Sequence, residues 1–131
     1  MAFELDDYCF ACGKKNERGL RLNVETMEGS SRASINFPRY MQGYNGIVHG
    51  GLVATVLDEL AIYAGMSLGR QYVTGEIKIR YKKPVRTEYE YIVEGKVIED
   101  KDKVVTAESI LRDSEHVIYA QARAKLIRVH G

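Results

Sequence analysis

Residues 50–68 constrain this chain more than any other stretch. Leu52, Val53, Val56, Leu57, Leu60, Ala61, Ile62 and Ala64 recur at helical spacing with almost no polar face between them. The spacing predicts a helix from about Gly50 to Leu68, with Gly69 as a left-handed stop. Its length would be roughly 28 Å at 1.5 Å per residue. A helix apolar nearly all round has to be buried on nearly all sides. The remainder of the chain reads as strand. Leu20, Leu22, Val24 and Thr26 alternate with Arg21, Asn23 and Glu25, and Ala33, Ile35 and Phe37 share one face of a second strand over 32–37. Pro38, which lacks the donor a ladder requires, ends that strand, and 38–49 is a loop marked by Gly43, Asn45 and Gly46. After the helix come Thr74–Tyr81, Glu88–Glu99, Val104–Leu111 and Val117–Val129, separated by polar turns at 100–103 and 113–115. This is an α+β pattern: an antiparallel sheet of five to six strands wrapped around one long central helix. No repeat, linker or low-complexity segment interrupts it, so residues 1–131 are expected to form a single domain with 1–19 as a leader. One sheet covers only one side of such a helix, so a second copy is expected to cover the rest, giving a homodimer.

Composition narrows the partners. Lys and Arg number 19 against 18 Asp and Glu, a formal charge of +1. A nucleic-acid partner is not expected, because phosphate-backbone affinity needs a basic surplus. The start, Met1 to Asp7, is acidic and without the apolar run of a secretory signal. No apolar stretch approaches the roughly 20 residues that cross a bilayer. The expected location is therefore the cytoplasm, with Cys9 and Cys12 reduced and no membrane partner. The Cys9-Phe10-Ala11-Cys12 spacing lacks the preceding strand and following helix of a redox pair. Zinc needs about four ligands, and a second such pair is absent unless two chains each contribute one. Two small, partly buried leader residues are the simpler reading, so no metal and no cofactor are expected.

The chemistry concentrates in residues 45–59. Asp58 and Glu59 lie in the middle of the most apolar helix, and burying a carboxylate without partners costs several kcal/mol. Neighbouring helix positions differ by about 100°, so the two acids face different surroundings. Each is either a functional group or half of a structural ion pair. Gly50 and Gly51 start the helix, where free N–H groups and the dipole favour an anion or a developing oxyanion. The plainer alternative is that the glycines simply turn a tight loop into a helix. Asp58 lies about 12 Å along the axis from Gly50, too far for one carbonyl to touch both. In a two-fold dimer the helix start of one chain can meet the mid-helix carboxylate of the other.

The run His49-Gly50-Gly51, six residues, then Asp58-Glu59 resembles the signature of hotdog-fold acyl-CoA thioesterases of the phenylacetyl-CoA thioesterase-like group. The strand order, Thr74 to Tyr81 followed by Lys82-Lys83-Pro84-Val85, and the leader Cys9-Phe10-Ala11-Cys12-Gly13 with Asn16 and Gly19-Leu20 are similar as well. The resemblance implies a hotdog fold as a homodimer or dimer of dimers, with acyl-CoA as substrate. It implies Asp58 as nucleophile or general base, the Gly50 N–H, with Gly51, polarising the thioester carbonyl, and His49 and Asn45 near the thioester. Thr74 would position water or the carboxylate. Glu59 matches a position often acidic in the family, read here as structural while kept among the substrate-side residues. Lys82, Lys83 and Arg86 would contact CoA phosphates, although exposed basic residues at a strand end are commonly just solvated. His49 can equally hydrogen-bond the loop backbone in its neutral form, and that positioning role is preferred to acid–base work.

The expected reaction is hydrolysis of an acyl-CoA to a carboxylate and CoA without a metal. The rival is an acyl-CoA sensor that binds without turnover. A hotdog hydratase is disfavoured because no Asp-x₄-His arrangement is present.

Overall fold

The computed structural model describes residues 3–129. Helix α1 (Gly50–Met66) lies against a six-stranded, fully antiparallel sheet of β1 (Glu25–Met27), β2 (Ser30–Asn36), β3 (Tyr72–Tyr81), β4 (Glu90–Asp100), β5 (Val104–Arg112) and β6 (Ile118–Arg128). The strand order is β1-β2-β4-β5-β6-β3. Strands β4, β5 and β6 follow one another as a meander. The β2–β4 ladder, in contrast, joins strands that flank the helix and β3 in sequence, pairing Asn36 with Glu90 and Ser30 with Lys96. Strand β3 pairs only with β6 and leaves its other edge free along ten residues.

The helix meets the sheet through one stripe. Val53, Val56, Leu57, Leu60, Ala61, Ala64 and Gly65 are buried, and their alternating spacings of three and one trace a single face. Burying each of the larger side chains contributes about 1.5–3 kcal/mol. Contact is close enough that a Cβ on Gly95 of β4 would run into the Leu60 carbonyl. Two buried serines fix the seating: Ser31 Oγ donates to the Leu60 carbonyl at 2.5 Å and Ser109 Oγ to the Leu57 carbonyl at 2.7 Å. At the C-terminal end Ser67 Oγ accepts the Gly29 N–H at 2.8 Å and donates to the Ala64 carbonyl at 2.6 Å. The helix therefore stops at Met66, two residues earlier than its apolar pattern predicts, and Gly69 takes the expected left-handed conformation at φ 87°.

Two expectations need correction. The alternation over 20–26 is real in burial, with Leu22 buried and Arg21 and Asn23 exposed, yet only Glu25–Met27 forms a strand. Arg21 at φ 50° breaks the pleat, and the Leu20 and Leu22 N–H groups donate to the carbonyls of Phe10 and Ala11 in the leader. The second correction concerns the helix, which is not enclosed on nearly all sides by strands and a second copy alone. The leader of the same chain lies on its outer side. Ala11 and Leu22 are buried in the core, with Cys9, Leu20 and Val24 packed against them, and Cys9 Sγ lies 3.8 Å from Glu59 Oε2. That contact reduces the burial a second copy has to supply.

Candidate active site

The approach to the helix is a tightly bonded loop. A turn over Tyr44–Ile47 closes with the Ile47 N–H on the Tyr44 carbonyl at 2.9 Å, with Gly46 at φ 75°. Gln42 Oε1 accepts the Gly46 N–H at 3.0 Å, and the Val48 and His49 N–H groups donate to Val85 and Met41 at 2.8 and 3.0 Å. His49 caps α1: its Nδ1 accepts the Gly51 N–H at 2.9 Å, which requires the neutral ring with its proton on Nε2. The Leu52 and Val53 N–H groups donate to the His49 carbonyl. Gly51 is thus engaged internally. The Gly50 N–H is the first-turn donor without an acceptor among the described residues.

A groove of about 650 Å³ opens at this helix start. Tyr44, His49, Gly50, Tyr81, Lys82 and Lys83 are among the residues that line it. The Tyr81 hydroxyl donates to the Gly50 carbonyl at 2.8 Å. In the sequence Tyr81 marks the end of the strand over 74–81, and an aromatic at a strand end carries no sign of this contact. Asn45, exposed at the turn, does not line the groove, nor does Arg86, whose backbone N–H donates to the Tyr91 hydroxyl.

Asp58 and Thr74 form the other half. Thr74 Oγ1 donates to Asp58 Oδ1 at 2.6 Å, and both residues are half-buried. The backbone of β3 explains how Thr74 gets there. Ile77 and Ile79 pack inward, which by strict alternation would turn Thr74 outward. A register shift between Thr74 and Glu76, at Gly75, inverts the alternation, so Tyr72 and Thr74 face inward before it and Ile77 and Ile79 after it. A glycine inside a strand pattern is the sequence signal for such a bulge.

Neither acid is an ion-pair member: no Lys, Arg or His lies within salt-bridge distance of Asp58 or Glu59 among the described residues. Glu59 looks toward the leader, where burial raises its carboxyl above the usual range, thiol hydrogen bonds oppose that shift, and the Asp58 charge adds to it. Burial likewise pushes the Cys12 thiol up to about 12.

The structure therefore brings His49, Gly50, Lys82 and Lys83 together in one place and Asp58 and Thr74 together in another. The groove lining includes neither Asp58 nor Thr74. Strand β3 touches both halves, through Tyr81 at one end and Thr74 at the other.

The profile described as the thioesterase superfamily matches residues 45–120. The chain belongs to the thioesterase superfamily. It is 32% identical over 104 residues to a Saccharolobus solfataricus protein that carries the name of an esterase, covering 77% of this chain and 69% of that protein. It is 28% identical over 92 residues to a Xenopus laevis acyl-coenzyme A thioesterase, covering 69% of this chain but only 41% of that protein. The fold is the hotdog fold of this superfamily. The Escherichia coli PaaI protein from the phenylacetic acid degradation operon superimposes with a TM-score of 0.80 at 19% identity, over 86% of this chain and 82% of that one. A Streptococcus mutans protein bound to acetyl CoA gives 0.77 at 18% identity, over 82% and 88%. A thioesterase superfamily protein gives 0.86 at 21% identity and covers 92% of this chain, which spans 60% of that structure. This superfamily member is a thioester hydrolase. No helix among the described residues is long and apolar enough to cross a membrane.

Proposed function

We propose that the chain hydrolyses acyl-CoA thioesters at a site shared by two copies, with Asp58 of one copy opposite the Gly50 helix start of the other. The observation that carries this reading is the environment of Asp58: a half-buried carboxylate oriented by the Thr74 hydroxyl and unpaired with any cation. A structural ion pair at that position would put a basic group beside the carboxylate, and none lies within reach among the described residues. The separation of the two halves supports the shared site, as does the free edge of β3, which carries both Thr74 and Tyr81 and offers a second copy a place to pair. A dimer, or a dimer of dimers, is thus part of the mechanism. Acyl-CoA as the substrate class draws support from the name of the Xenopus laevis relative and from the acetyl CoA bound to the Streptococcus mutans neighbour.

In the general-base form, Asp58 takes a proton from water as the oxygen adds to the thioester carbon. The Gly50 N–H receives the developing oxyanion, the carbon–sulfur bond breaks, and the thiolate of CoA recovers the proton from Asp58. In the nucleophilic form, Asp58 adds to the carbonyl carbon, the carbon–sulfur bond breaks to expel the CoA thiolate, and water then cleaves the resulting anhydride to release the acid and restore Asp58. Thr74 positions Asp58 in either case. His49, by holding the Gly51 N–H, sets the helix start and leaves Gly50 as the donor. Lys82 and Lys83 lie where CoA phosphates could meet them, while Asn45, Arg86 and Glu59 are held by the fold outside the groove.

The test is Asp58→Asn measured for both binding and turnover. Retained acyl-CoA binding with turnover reduced by orders of magnitude supports the assignment; near-normal turnover removes it. Acyl-CoA binding with no hydrolysis by the unaltered chain, across short, long and aromatic acyl groups, would favour the sensor. Single-turnover hydrolysis in labelled water separates the two chemical routes, since only direct attack can place an oxygen of the Asp58 carboxylate, in place of one from water, beside the thioester's own oxygen in the product.

A further inference from the structure

Beside the leader, one helix position on from Asp58, three potential metal donors converge from two distant parts of the chain. The sulfurs of Cys9 and Cys12 and a carboxylate oxygen of Glu59 all lie within 4.8 Å of one another. We infer that Cys9, Cys12 and Glu59 bind a thiophilic divalent cation, zinc by the choice of donors, and that this ion clamps the leader to the outer face of the helix.

The spacing fits. Zinc–sulfur bonds of about 2.3 Å and zinc–oxygen bonds of about 2.1 Å define a tetrahedron whose edges are about 3.6–3.8 Å. Cys9 Sγ and Glu59 Oε2 are already 3.8 Å apart. Gathering the set around an ion therefore asks for movements of about an ångström.

The turn that presents the thiols is well built. The Gly13 N–H donates to the Cys9 carbonyl at 2.8 Å and the Lys15 N–H to the Asp7 carbonyl at 2.9 Å, while Asn16 Nδ2 donates to the Tyr8 carbonyl at 3.1 Å. A side chain at Gly13 would collide with the Cys9 backbone and the Asp7 carbonyl, so the Cys-x-x-Cys-Gly turn depends on that glycine.

Donor chemistry selects the ion. Two thiolates and one carboxylate suit zinc rather than magnesium or calcium, which prefer all-oxygen sites. Glu59 has no basic partner among the described residues, so a cation would supply the charge its surroundings lack. Cys12, Glu59 and Tyr63 also line a cavity of about 260 Å³, which leaves room for water as the fourth ligand. The sequence argued against a metal because Cys9 and Cys12 have no second pair; the third donor comes from the helix, 50 residues beyond Cys9. The site does not depend on the reaction assigned to Asp58.

The chain, stripped with a chelator under reducing conditions, is titrated with cobalt and then zinc. One metal per chain is expected, with a thiolate-to-cobalt charge-transfer band that zinc abolishes. Cys9→Ser and Cys12→Ser should lose the band, and Glu59→Gln should weaken zinc binding at least about 10-fold, a loss that even outer-shell partners of a metal produce. Zinc should also protect the leader from proteolysis. Cobalt bound without a thiolate band, or no metal bound by the reduced chain, overturns the site even if a variant fails to fold. Zinc affinity unchanged in Glu59→Gln overturns it too, as does one zinc per two chains, which would point to cysteine pairs from two copies.

Discussion

Asp58 and Glu59 are neighbours in the chain and share a helix, yet they have almost nothing else in common. Asp58 meets a hydroxyl on β3 at 2.6 Å. Glu59, about 100° round the helix, meets the thiols of the leader. Neither has a cation within reach among the described residues. The difference teaches that the acidity of a position says little until its surroundings are known. One acid is oriented by a single hydroxyl and remains available for chemistry. The other borders a cavity beside the leader, where burial disfavours its charge.

The contrast can be broken at several points. The largest effect is expected for Asp58→Asn, which removes the proposed base or nucleophile and should lower kcat by about 10²–10⁴-fold or more, read by steady-state hydrolysis of an acyl-CoA. Thr74→Val takes away only the orienting hydrogen bond. A bond to a charged group is worth about 1.5–3 kcal/mol, so kcat should fall roughly 10–100-fold with KM little changed. The double variant should be no slower than Asp58→Asn alone, because Thr74 acts through Asp58; an additive loss would give Thr74 an independent role.

Glu59→Gln sharpens the other side through pH. In the metal-free protein the folded pKa of Glu59 is raised above its ordinary 4.5, chiefly by burial. The folded chain therefore holds a proton that the unfolded chain releases. The associated stability is fully present below pH 4.5 and is lost as pH rises through the folded value. As pH rises above about 4.5 the melting temperature of the unaltered chain should fall relative to that of Glu59→Gln; parallel curves would mean that Glu59 ionises freely. The smallest effect belongs to Tyr81→Phe, which loses the hydrogen bond to the Gly50 carbonyl and should cost about 1 kcal/mol in denaturant unfolding.

Much of this was legible beforehand, and for definite reasons. The helix was readable because its buried stripe repeats at 3.6 residues, and β2 through β6 because alternation and turn residues mark them. The His49-Gly50-Gly51 to Asp58 run located both halves of the candidate site, and their separation in one chain followed from helix rise alone. Local patterning reached its limit where backbone partners come from afar. The 20–26 alternation is genuine, but nothing in it reveals that Phe10 and Ala11 take its N–H groups. Thr74 was picked out by resemblance, whereas its inward placement depends on the bulge at Gly75. The proximity of Cys9 to Glu59 is a tertiary fact with no local signature.

The position of β2 beside β4 also has a consequence for how the chain acquires its shape. The meander β4–β5–β6 closes through short turns and needs little loop entropy. The β2–β4 ladder must instead wait until the helix and β3 have been threaded between its two strands in sequence, since Asn36 pairs with Glu90 and Ser30 with Lys96. Such long-range closure is slow. The refolding rate should therefore be governed by the seating of the helix under Gly95, Ser31 and Ser109. Until that seating occurs, the apolar face of the meander lacks its helix, and association with other incompletely folded chains competes with folding.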